Sequence, residues 1–119
     1  MGATAIISFL MGLGLLLAPD AFMSNYGVSL DPVGKMMANG VGGLLLGLAT
    51  INWFSKEGEK SRVLRAIILG NIVIHAVLGL FDFQALNLGI INSNGWGAVG
   101  LHLVLGFGFL YYFLQKDLK

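Results

Sequence analysis

Four apolar stretches, at about residues 3–18, 32–54, 63–81 and 96–114, fill most of this 119-residue chain and leave only short connections between them. A helical crossing of a ~30 Å hydrocarbon core takes about 17 to 25 mostly apolar residues, so each stretch is near the length of one membrane span. Within lipid every backbone N–H and C=O must be satisfied inside its own segment, which makes each stretch a helix. The expected fold is therefore all-α: a single transmembrane domain over residues 1–119, forming an integral membrane four-helix bundle in up-down-up-down order. Composition agrees. Hydrophobic residues are 56% of the chain, charged residues 11%, and mean hydropathy is +0.82, whereas soluble domains carry about 25% charge.

Local signals divide the spans. Pro19 ends the first, since proline removes a donor and clashes one turn back. Residues 20–26 mix Phe22, Met23 and Tyr26 with Asp20, Ser24 and Asn25, a composition suited to the headgroup layer, and Gly27 breaks any helix there. Asp31-Pro32 is a helix start, with a carboxylate to accept from orphan amides and a proline at the first helical position. Asp82 is expected to close the third helix, leaving residues 83–95 as an interfacial connection. A cleaved leader is disfavoured because no Lys or Arg precedes the first apolar run. Trp53 and Trp96 read as interface anchors.

Lys56, Lys60, Arg62, Arg65, Lys116 and Lys119 fall on one side of this topology and Lys35 alone on the other. Positive charge is retained on the cytoplasmic side, so both termini are expected there, in a plasma or inner membrane. The net charge of +1 offers no electrostatic platform for nucleic acid. With no cysteine, disulfides and thiolate metal sites are excluded.

Helices in lipid associate through small residues that let backbones approach. Each span carries such a stripe: Thr4, Ser8 and Gly12; Asn39, Gly43, Gly47 and Thr50, with a GxxxG; Asn71, His75 and Gly79; Ala98, His102 and Gly106. Directed inward, the stripes would pack helices through Gly43, Gly47, Gly79 and Gly106; turned outward, the GxxxG would serve self-association or a partner subunit.

The two histidines are the chemical feature of the chain. At 1.5 Å per residue His75 lies ~18 Å from the start of its helix and His102 ~18 Å from the end of its own, so antiparallel neighbours bring them level. Asn39, at ~22 Å, and Asn71, one turn from His75, would complete a polar layer. Three uses follow. A neutral layer would fix helix register in a non-catalytic subunit or accessory component of a membrane complex. The pair would serve as cofactor-binding residues in a b-type haem or quinone redox protein. A polar midplane site would suit a small carrier. Two histidines alone are too few ligands for zinc, and no metal or cofactor is required by the first reading. All six acids, Asp20, Asp31, Glu57, Glu59, Asp82 and Asp117, are expected in loops or at helix ends, and no nucleophile elbow, zinc-hydrolase motif or phosphate loop is present, so the chain reads away from an enzyme.

The order of Leu17-Ala18-Pro19, Tyr26-Gly27, Gly40, Gly43, Gly47, Trp53 and Gly95-Trp96 resembles that of small DoxX-like four-helix membrane proteins. The resemblance implies the bundle. It implies no activity.

Overall fold

The computed structural model describes residues 1–115, so Lys116, Asp117 and Lys119, used above, lie outside the described residues. Among these residues the chain is wholly helical, with five helices and no strand. They are α1 (Gly2–Leu17), α2 (Pro19–Ser24), α3 (Pro32–Ser55), α4 (Arg62–Asn87) and α5 (Gly95–Leu114). Helices α3, α4 and α5 are long and apolar enough to cross a membrane; α1, with 16 residues, is apolar but shorter.

Burial is inverted relative to a soluble protein. Asn52, Asn71 and Thr4 are 0%, 1% and 2% exposed, while Leu44 and Val104 are 76% and 70% exposed. Polar side chains inside and bare leucine and valine outside suit a lipid surround, where unpaired polar groups are costly and apolar ones are not.

The chain falls into two compact units, Met1–Lys56 and the part from Glu57 onward. In the first, α1 and α3 are antiparallel. Gly2 lies beside the Lys56 stem, and Gly12 lies against Gly42 so closely that a Cβ on Gly12 would stand 2.9 Å from the Gly42 carbonyl oxygen, and one on Gly42 2.8 Å from that of Gly12. This is backbone on backbone, the contact glycine alone permits. Thr4, Ser8 and Gly12 are buried, as their spacing predicts. On α3 the buried residues are Gly42, Ala49 and Asn52. Gly43 and Gly47 are exposed, and a Cβ on either meets nothing within 4 Å. The packing face of α3 is thus turned about 100° from the expected one, the angle between successive helical residues. Asn39 is exposed as well. With its amide nitrogen toward α1 it donates to the carbonyls of Leu15 (3.0 Å) and Leu16 (3.2 Å), groups that a helix ending at Leu17 leaves without intrahelical partners.

Asp31 caps α3 by accepting from the Gly34 amide at 2.6 Å. Residues Pro19–Ser24, expected only as an interfacial mixture, form the short α2, and Lys35 of α3 pairs with its Asp20 at 2.9 Å.

In the second unit Ser61 caps α4 through the Leu64 amide. Helix α4 does not stop at Asp82. It continues through Phe83, Gln84, Ala85 and Leu86, which have no helix-breaking chemistry, and ends where Gly89 adopts φ +70. There Gly89 N–H donates to Leu86 O and Ile90 N–H to Ala85 O, the paired bonds of a Schellman stop. Helix α5 returns antiparallel to α4, with Arg65 over the Phe113 ring at one end and Phe83 edge-on to Trp96 at the other.

Candidate functional site

The α4–α5 seam brings together His75 and Gly79 of one expected stripe and His102 and Gly106 of the other. A Cβ on Gly79 would lie 3.3 Å from the Cβ of His102, and one on Gly106 would lie 3.4 Å from that of His75. Each histidine therefore leaves its helix directly opposite a glycine of the other. That clearance lets the rings meet between the helices, with His75 Nδ1 and His102 Nδ1 3.0 Å apart and ring centroids at 5.3 Å. The expectation that the two histidines are level is met. Phe109 stacks on His75, its ring 18° from parallel at 5.8 Å.

Asp82 changes the chemistry of the pair. Because α4 runs past it, Asp82 lies within the helix, one turn beyond Gly79, and its Oδ2 stands 3.3 Å from His102 Nε2. The expectation that every carboxylate sits in a loop or at a helix end fails here. The missed signal was spacing: Asp82 is seven residues from His75, hence two turns along the same face.

A line of contacts thus runs from Asp82, with about a third of its side chain exposed, to His102 and on to the buried His75. The far nitrogen of His75, Nε2, is buried and meets no hydrogen-bond partner among the described residues. Such an atom is costly to leave unpaired, by about 1–3 kcal/mol.

Asn71 is buried one turn from His75, and its amide donates to Ile67 O at 2.9 Å. Asn39 belongs to the cap of α1 described above. Asn52, fully buried, escaped sequence reading because it sits beside Trp53 near the helix end; its amide donates to Leu48 O at 3.0 Å.

Beside the histidines the seam opens as a groove of about 460 Å³. Its apolar walls include Leu80 and Phe83 from α4 and Leu103 and Phe107 from α5, and it recedes where Ala76, Gly79 and Gly106 supply little or no side chain.

A metal held by the two rings alone would have only two protein ligands, fewer than a stable site takes. The facing nitrogens are 3.0 Å apart, and no set of three metal-ligating side chains occurs among the described residues. A haem would also have to part helices whose contacts at Gly79 and Gly106 are already close. These residues do not fit a haem between the rings.

Comparison of the chain with family models, with curated proteins and with solved structures finds no match.

Proposed function

We propose that this chain is a small multi-pass membrane protein, not an enzyme, that holds a lipophilic small molecule against His75 and His102, as a carrier with a polar site inside the span would. The observation behind this reading is the groove itself: apolar walls of small-molecule dimensions beside a histidine pair whose buried member, His75, has a nitrogen without a partner among the described residues. Four spans in up-down order, a DoxX-like bundle and cytoplasmic termini belong to the same proposal, on the distribution of Lys and Arg. The test is titration of a naphthalene-sized fluorescent probe into nanodiscs with and without the protein. Saturable binding at one probe per chain, lost in Ala76→Phe, is expected; a signal equal to that of empty nanodiscs would sink the idea.

A second reading, an accessory subunit of a membrane complex, is favoured by one feature. Gly40, Gly43 and Gly47 share an exposed face of α3 on which a Cβ would meet nothing within 4 Å. A second transmembrane helix, from a partner or from another copy, would approach closely there. Gly43→Leu with Gly47→Leu should then abolish cross-linking to that helix in native membranes while the protein remains folded; unchanged cross-linking would exclude this face.

A further inference from the structure

Resting on the groove reading above, we propose that the ligand's polar group is a hydrogen-bond donor, so that the site selects hydroxyl-bearing lipophiles over otherwise identical molecules that only accept. The argument is proton bookkeeping along the line of contacts. A neutral imidazole carries one proton, so one ring nitrogen donates and the other accepts. An ionised carboxylate only accepts, and Asp82 Oδ2 at 3.3 Å from His102 Nε2 favours the proton on that nitrogen. His102 Nδ1 is then an acceptor. With His102 neutral, the 3.0 Å contact between the two Nδ1 atoms takes its one proton from His75. With its proton on Nδ1, His75 is left with a bare lone pair on Nε2, the buried atom that has no partner among the described residues.

Asp82 thus sets the hydrogen-bond sense of an atom two contacts away. The group that satisfies Nε2 has to donate; His75 is one of the residues lining the groove, and because Nε2 itself is closed to solvent, the ligand has to displace neighbouring side chains to reach it. A hydroxyl on an apolar body meets both demands, while an ether or ketone presents another lone pair to the first. Among the described residues, no other charged or titratable side chain lines the groove.

The experiment compares 1-naphthol with 1-methoxynaphthalene, binding constants corrected for partition into empty nanodiscs. Naphthol is expected to bind about tenfold more tightly, the effect of one hydrogen bond to an otherwise unpaired buried acceptor. His75→Phe should erase the preference. Asp82→Asn should narrow it, because an amide can donate as well as accept and so no longer selects one tautomer. Equal binding of both probes would overturn the donor inference and leave the groove reading standing; binding of neither would overturn both. An independent readout uses ¹⁵N NMR of the two histidines. A proton on Nδ1 of His75 and on Nε2 of His102 is expected, and a proton on Nε2 of His75 would refute the proposal whatever the binding data.

Discussion

The α1–α3 pair and the α4–α5 pair draw on the same small-residue spacing and use it in opposite ways. In the first, Gly12 and Gly42 bring backbone against backbone, with no room for a methyl group on either. In the second, Gly79 and Gly106 act as notches that receive the bases of His102 and His75. A glycine stripe therefore has two products. One is closeness, and its energy is dispersion over a tight seam. The other is space, which here is given to polar rings that would otherwise hold the helices apart. Only the second product creates chemistry, since a seam closed by backbone has no site in it.

That contrast predicts a ranking of substitutions, measured as unfolding free energy in mixed micelles. Gly42→Leu should be the most damaging, at about 3 kcal/mol, the upper part of the usual overpacking range, because its branch would be driven into fixed backbone. Gly79→Leu and Gly106→Leu should cost less, about 1–2 kcal/mol, since a histidine side chain can yield where a carbonyl cannot. Equal losses at Gly42 and Gly79 would erase the distinction between the pairs. His75→Ala and His102→Ala should couple in a double-mutant cycle by about 0.6 kcal/mol, the ordinary size of a hydrogen bond between helices in lipid. Strict additivity would mean that the rings do not bond. Gly43→Leu should change stability least, by within about 0.5 kcal/mol, because its position is open.

Where sequence reading succeeded, one stripe stood alone on its helix. Thr4, Ser8 and Gly12 are the only such series on α1, and the two histidines fall at matched depths four residues before a glycine. Helix α3 was ambiguous for a physical reason: it holds Gly34, Gly40, Gly42, Gly43 and Gly47, so small residues occur on more than one face. The spacing of Gly42 and Ala49, seven apart and followed by Asn52, marked the packed face. The GxxxG drew attention to the open one. Asp82 was misplaced because a carboxylate in an apolar run reads as the end of a span. A helix ends where its backbone finds other partners, and at Gly89 the stop is made by backbone hydrogen bonds and a positive φ, not by charge.

The lining of the groove carries a further consequence. Every residue that α4 contributes has a counterpart 27 positions later on α5: Ile72 with Val99, His75 with His102, Ala76 with Leu103, Gly79 with Gly106, Leu80 with Phe107 and Phe83 with Leu110. Two antiparallel helices with that relation approximate a local twofold axis, and the meeting of like atoms, Nδ1 with Nδ1, is what such an axis produces. A symmetric cleft would accept a ligand in either of two orientations. The same offset pairs Asp82 with Phe109, and there the equivalence ends: one histidine faces a carboxylate, the other an aromatic ring. That single inequality gives the cleft a head and a tail.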